Sequence, residues 1–419
     1  MCKQSKANQS SNRLDGSKFS ANNSLGDLFR DHGEKYIACY HPSIQQIKLI
    51  RAIRICRTPS LGGRRLDCEK CGTVHYIYNS CGNSQCMICQ SIKREQWIDK
   101  LKIKLLKVPY CHVIFTLPHQ LNGLAKANQS LIYNLIMKVS WMTIRTVSKD
   151  NHNLGALPGM ISVLHTFGSA CNYHIHVHSL VTFGGVNNDE NWQYPTNNKR
   201  IASYRQMCKT FKDLFLAELT KEYENGVVHY HLAFNEIIDV LKNKRWVVHS
   251  TRPSMDTGLL ENYLARYINR IAVSQSRINY VKHAKEVHIL FNDYKNQLPN
   301  QSAPKAIQTL DPLVAIDQII QHTLPPRFQK SRSYGIHHAS NKLKLKIEES
   351  YKRNGATIRT FMEIITHLMG LEKMKCKTCG SDKFTITEIK SDKYYIGTYL
   401  NSLQMRGPPQ NDEIHDSFL

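Results

Sequence analysis

The chain is short of carboxylates: 33 Asp and Glu stand against 56 Lys and Arg, leaving a formal net charge of +23. A reaction centre built from several positioned acids therefore has few residues to draw on. Long apolar runs are missing too. A helix that crosses a bilayer needs about 20 consecutive apolar residues, and no segment offers them. The first residues lack the apolar core of a secretory signal: 1–24 are polar, rich in Ser, Asn and Lys, and are expected to form a disordered leader. A protein with neither feature is expected in the cytoplasm, where thiols stay reduced. The turn spacing of eight βα units is also absent, which argues against the barrel metallohydrolases that use His-x-His on a strand.

What the chain has in excess is positive charge and rings. The cations run along the whole length, and 20 Tyr, 13 Phe and 4 Trp are available for stacking. Such a field attracts polyanions, and nucleic acid is the partner that uses both features; a membrane surface fits less well. At 419 residues the chain is long enough for two or three domains.

His174, His176 and His178 alternate in Tyr-His-Ile-His-Val-His-Ser-Leu-Val, just ahead of Gly184 and Gly185. Side chains alternate across a strand, so the three imidazoles point from one face while Ile175 and Val177 take the other. Neutral imidazole is a common metal ligand, and His176 and His178 on a rigid strand can grip one ion. The plain alternative is a strand whose histidines face solvent. A second strand over 161–167, bent back through Gly168-Ser-Ala-Cys-Asn172, would bring His165 near His176 and His178. His165 and His174 are thus both candidates for a third ligand.

Five of the thirteen cysteines fall between Cys68 and Cys89. Two Cys-x-x-Cys knuckles, each turning back on itself, can close a tetrahedral thiolate site, so zinc is expected on Cys68, Cys71, Cys86 and Cys89. Cys81 or His75 is a substitute or supporting partner. A site of this kind keeps no position open for substrate, which makes the module a DNA-positioning element. Lys70, Lys93 and Arg94 flank it and suit phosphate contacts. A third knuckle, Cys376-Lys-Thr-Cys379, is half a site. Only His415 lies downstream, so the knuckle is vestigial, borrows ligands elsewhere or pairs across a dimer.

Periodicity predicts helices over 25–32, 42–56, 92–107, 130–147, 202–224 and 316–323, with Pro42 in the first turn of the second. Strands are predicted over 111–116, 161–167, 174–183 and 245–250, with two more between 272 and 291. The result is an α+β fold, a central antiparallel sheet with flanking helices. One more helix, 259–270 with Asp256 as its N-cap, puts Tyr263 and Tyr267 one turn apart with Arg266 and Arg270 beside them. Tyrosine, with a free pKa of about 10, attacks phosphate only with a cation or metal nearby. Alone, the pair reads equally as half-buried packing.

Together, His176-Val-His178 on a strand ending Leu-Val-Thr-Phe-Gly-Gly185 and Tyr263-Leu-Ala-Arg-Tyr267-Ile-Asn-Arg270 resemble the two-tyrosine transposases of the HUH-endonuclease superfamily, specifically the insertion sequence 91 family. Further similar segments are Cys68-x-x-Cys71-Gly with Asn79-Ser-Cys81, Phe115-Thr-Leu-Pro118, His165-Thr-Phe-Gly168, Trp246-Val-Val, and Leu324-Pro-Pro-Arg-Phe328 through Arg332-Ser-Tyr-Gly335. They follow the family order over residues 26–336. One departure is Gln85, where members usually carry His ahead of a cysteine knuckle.

The resemblance implies a helical and zinc-binding domain over 25–104 and an HUH nuclease domain with a ferredoxin- or RRM-like palm over 105–295. A linker with a family-specific segment would follow over 296–345, then a helical C-terminal region with the last knuckle and a disordered tail over 346–419. His176 and His178 would hold Mg²⁺ or Mn²⁺, and Tyr263 and Tyr267 would be the nucleophiles, with Arg266 and Arg270 in the same catalytic helix; Zn²⁺ would be structural. The substrate would be single-stranded DNA at mobile-element ends and target DNA, nicked and joined through a 5′-phosphotyrosine, in a bacterial cytoplasm with the protein on the nucleoid during action. A rolling-circle replication initiator or relaxase would share that chemistry. A non-catalytic zinc-ribbon DNA binder would lack it.

Overall fold

Ser43 shows how locally the first helices are specified. Its hydroxyl accepts from the Gln46 N–H while the Gln46 side chain accepts from the Ser43 N–H, a reciprocal cap that starts the helix at Ile44 and leaves Pro42 outside it. The computed structural model describes residues 13–15, 19–20, 25–229, 234–255, 272–299, 301–338, 359–360, 363–364 and 375–391. In chain order its elements are β1 (Arg13–Asp15), α1 (Leu25–Tyr40), α2 (Ile44–Ile55), β2 (Gly63–Cys68), β3 (Val74–Tyr78), α3 (Gln90–Lys104), β4 (Tyr110–Thr116), α4 (Asn122–Ala127) and α5 (Gln129–Lys149). Then come β5 (Leu157–Phe167), β6 (Tyr173–Val186), β7 (Trp192–Gln193), α6 (Tyr204–Glu224), α7 (Phe234–Asn243) and β8 (Val247–Ser250). The last are β9 (Ile278–Val281), β10 (Glu286–Asn292), β11 (Lys305–Leu310), α8 (Pro312–Ile320), β12 (Ser331–Gly335) and β13 (Phe384–Ile389). Among the described residues no helix is long and apolar enough to cross a membrane.

The largest sheet is antiparallel in the order β12-β5-β6-β4-β8, with β7 attached to β6. Its middle strand β6 is covered on both faces, which is why it carries a continuous apolar run around the histidines. Ile175, Val177 and Val181 join Phe115 and the side chains of α5 and α6, among them Tyr133, Phe211 and Phe215, in one core. On the opposite face Leu180 packs with Ile161 and Val163 against Leu101 of α3 and Leu105 just beyond it. The histidines share that second face, because Val163 stands opposite His178 and Ile161 opposite Leu180.

The α+β fold class and the strands β4, β5, β6 and β8 match the expectation from periodicity. The two strands expected between 272 and 291 exist, but not in the central sheet: β9 and β10 build a separate sheet, ordered β1-β11-β10-β9, that packs with α1, α2 and α8 in a core of its own. The expected leader and linker are likewise partly structured. Residues 13–15 form β1 against Ala306, Ile307 and Gln308. The segment 296–345 supplies β11, α8 and the edge strand β12, the last pairing Ser331 with Val163 through Gly335 with Gly159. Within the C-terminal region, expected to be helical, 384–389 is a strand: β13 pairs along all of β2, Phe384 with Cys68 through Ile389 with Gly63, and completes a third sheet, β13-β2-β3.

Candidate metal centres

His165 stands directly opposite His176 in the antiparallel pair β5–β6, and His178 is two residues along the same face. The turn between the strands is closed by Gly168 N–H donating to Asn172 O (2.9 Å) and contains Cys171 with φ of 60°. The ring of His165 lies 4.5 Å from that of His178 and 5.3 Å from that of His176, and those two are 4.8 Å apart. One nitrogen from each ring falls within 4.8 Å of the others, close enough for an ion bound at about 2.1 Å from each nitrogen. His174 is not part of this cluster.

Hydrogen bonds outside the cluster prepare the rings. The His174 carbonyl can only accept, so His176 Nδ1, 3.0 Å away, carries the proton and its Nε2 carries the lone pair. His178 Nδ1 lies 2.9 Å from Nε2 of His112, a residue of β4. Burial, with the nearby His249 and His176 adding to it, pulls the His112 pKa down to about 3. His112 is therefore neutral near pH 7 and can accept from His178 Nδ1–H, which leaves His178 Nε2 for an ion. Among the described residues no carboxylate joins the three imidazoles. A divalent ion held there keeps its full charge for an anionic ligand.

Among the described residues, eight cysteines form two clusters. Cys56, Cys81, Cys86 and Cys89 make the first, and Cys68, Cys71, Cys376 and Cys379 the second, with the sulfurs of each within 4.8 Å of one another. The set expected from spacing, Cys68, Cys71, Cys86 and Cys89, is thus divided. The reason is the β2–β3 hairpin: it carries Cys68 and Cys71 to its tip, and the five residues of β3 separate them from Cys81, roughly 16 Å of strand. Cys56 joins instead, because it caps α2 and the next residue, Arg57, bonds to Asn79 O at the exit of β3. Within this cluster the thiols of Cys56, Cys81 and Cys86 push that of Cys89 far below its ordinary range, the form that binds metal.

Two profiles match the chain: one described as "Putative transposase" over residues 159–344, and one described as "Transposase zinc-binding domain" over residues 28–117. A protein of Sinorhizobium fredii named "Putative transposase y4qJ" is 31% identical over 323 residues, 74% of this chain and 79% of that one. The chain belongs to the insertion sequence 91 family of transposases. A more distant relative, the "Transposase for insertion sequence element IS801" of Pseudomonas savastanoi pv. phaseolicola, is 23% identical over 373 residues, 87% of each chain. No solved structure matches significantly.

This transposase is therefore a DNA-processing enzyme with a zinc-binding domain, and the first cysteine cluster lies wholly within the matched zinc-binding segment. Tyr263, Tyr267, Arg266 and Arg270 lie outside the described residues, as do the side chains of Lys93 and Arg94; Lys70 is exposed at the tip of the β2–β3 hairpin. Sequence reasoning missed His112, whose signal was its place in the strand paired to the histidine strand. It also missed Cys56, which carries no knuckle spacing. Gln85, the departure from the family pattern, bonds the Leu324 backbone through its side-chain carbonyl (2.6 Å) and so ties the zinc-binding segment to Leu324-Pro-Pro.

Proposed function

We propose that this transposase cuts and rejoins single-stranded DNA at the ends of its element through a metal-assisted tyrosine attack. The observation that carries the reading is the trio His165, His176 and His178, three imidazoles on one rigid face with their donor atoms within 4.8 Å. Mg²⁺ or Mn²⁺ bound there would polarise the scissile phosphate and offset the charge that builds on it. His176 and His178 hold their outer nitrogens fixed through His174 O and His112, so each presents Nε2 without rearrangement.

Tyr263 and Tyr267 are the nucleophiles of this scheme. Attack of a tyrosine oxygen on phosphorus expels the 3′-oxygen, which takes a proton; the products are a 5′-phosphotyrosine and a free 3′-hydroxyl. The bond energy is kept, so rejoining needs no nucleotide cofactor. Two tyrosines allow a second strand to be taken before the first is released. The anchors of the tyrosine segment support the placement: Ser254 exchanges two 3.0 Å backbone bonds with Tyr110 of β4, and Ala272 lines a cavity with Phe167, two residues from His165. Arg266 and Arg270 would meet the phosphate charge, and Lys70, Lys93 and Arg94 the DNA backbone beyond it. Cys56, Cys81, Cys86 and Cys89 would hold the structural zinc.

The test is a labelled single-stranded oligonucleotide carrying an element end, incubated with Mn²⁺. Wild type is expected to become covalently attached. Tyr263→Phe and Tyr267→Phe each remove one adduct, while the double variant and His176→Ala remove both without abolishing DNA binding. Equal attachment of the double Phe variant would overturn the nucleophile assignment. No adduct under any metal condition would favour a DNA-binding protein without strand-cutting chemistry.

A further inference from the structure

The Cys376-Lys-Thr-Cys379 knuckle lies far outside the matched zinc-binding segment, which ends at residue 117. Yet its sulfurs meet those of the hairpin tip. Cys68 Sγ is 3.5 Å from Cys379 Sγ, and Cys71 Sγ is 3.6 Å from Cys376 Sγ. Four thiolates bound tetrahedrally at about 2.3 Å lie about 3.8 Å from one another, whereas a disulfide needs about 2.05 Å. The two knuckles are also built alike. In each, a glycine with φ near 70° follows the second cysteine and its N–H returns to the carbonyl of the first: Gly72 to Cys68 (2.9 Å) and Gly380 to Cys376 (2.8 Å).

We propose that Cys68, Cys71, Cys376 and Cys379 bind a second structural Zn²⁺, which clamps the C-terminal strand β13 to the N-terminal hairpin. The weakness of the sheet without metal argues for it. Four of the six residues of β13 are exposed, and, apart from Cys68 itself, Leu66 is the one apolar side chain of the β2–β3 hairpin that is buried. So little apolar burial cannot hold a terminal strand in place, and small modules of this kind depend on their metal. The hairpin is nonetheless shaped to receive that strand: a Cβ on Gly62 would sit 2.5 Å from Ile389 O and 2.7 Å from Ser391 N. A second contact joins the same regions, where Arg359 bonds Glu95 (2.8 Å) and the buried Asp99 (2.9 Å) of α3.

The experiment measures zinc per full-length chain by elemental analysis in a His176→Ala background, so that the histidine site does not contribute. Two equivalents are expected. Cys376→Ser/Cys379→Ser should lose one, and adding Cys68→Ser/Cys71→Ser should lose no more, because all four serve the same ion. Cys379→His, which keeps a ligand, should retain it. Should the serine variants fold poorly, alkylation of the parent protein decides: Cys68, Cys71, Cys376 and Cys379 should resist together and become reactive together when a chelator is added. The proposal is overturned if the knuckle variant keeps the parent zinc content, if the quadruple variant loses two ions, or if Cys376 and Cys379 react freely before chelation.

Discussion

His178 Nδ1 is held 2.9 Å from His112 Nε2, and this contact leaves Nε2 as the nitrogen His178 can offer an ion. Removing such a partner from a ligating histidine typically weakens metal binding 10- to 100-fold. His112→Phe is therefore expected to lower Mn²⁺ affinity by about that factor, read by titration, while His112→Gln, which retains an acceptor, should lose less. Equal affinities would assign His112 to packing alone. A second buried imidazole works differently. His322 donates through Nε2 to the Cys171 carbonyl (2.9 Å) and accepts at Nδ1 from the Thr166 hydroxyl (3.2 Å), and burial pulls its pKa down to about 4. Unfolded, the ring takes up a proton near pH 6.5; folded, it resists until about pH 4. Its contribution is thus complete above pH 6.5 and disappears as pH falls toward 4, a loss of roughly 3 kcal/mol. His322→Gln should lose less stability than wild type between pH 7 and pH 4.5 in urea unfolding. At this scale the alternation of His174, His176 and His178 was readable, since period-2 spacing reports a shared face. His112 and Cys56 were harder to see: His112 is a lone histidine in an apolar strand, Cys56 sits between Ile55 and Arg57 with no second cysteine at knuckle spacing, and each acquires its neighbours only through pairing.

Elements were legible as elements and much less so as partners. Apolar periodicity located β4, β5 and β6, and most helices, because burial of one or both faces leaves its mark within the segment itself. It could not assign β9 and β10 to the second sheet, because β11, the partner of β10, falls in a segment that reads as linker, nor recognise 331–335 as an edge strand of the first, because its pairing residues are more than 100 positions away. Gly335 illustrates what fixes that edge. Its φ is 59°, and a Cβ there would run into the Pro158 carbonyl and lie 2.7 Å from the Trp141 ring. Gly335→Ala combines a disfavoured backbone with a close contact, and strain of this kind costs about 1–3 kcal/mol per residue. The expected result is a lower midpoint in thermal unfolding and faster hydrogen exchange at the amides that join β12 to β5. An unchanged midpoint would mean that the edge strand can shift without cost.

For the whole molecule, the charge of +23 predicts that affinity for single-stranded DNA falls linearly with the logarithm of salt concentration, with each phosphate contact adding about 0.7 to the slope. Combining Lys70→Ala, Lys93→Ala and Arg94→Ala should flatten that slope by about two. A slope that does not change would move the DNA path away from the zinc-binding segment. The long-range architecture was the part least visible in the sequence: nothing in the spacing of Cys376 and Cys379 says that their sulfurs meet residues near the other end of the chain.

Cys68 and Cys379 are 311 residues apart. A ribosome adding about 5–20 residues per second needs roughly 15 to 60 s to cover that interval. Throughout that time the hairpin tip has emerged with half its sulfurs absent, and the early-made module cannot be finished until the final part of the chain is out. A message cut short anywhere between them would yield a product whose amino-terminal sheet stays one strand short.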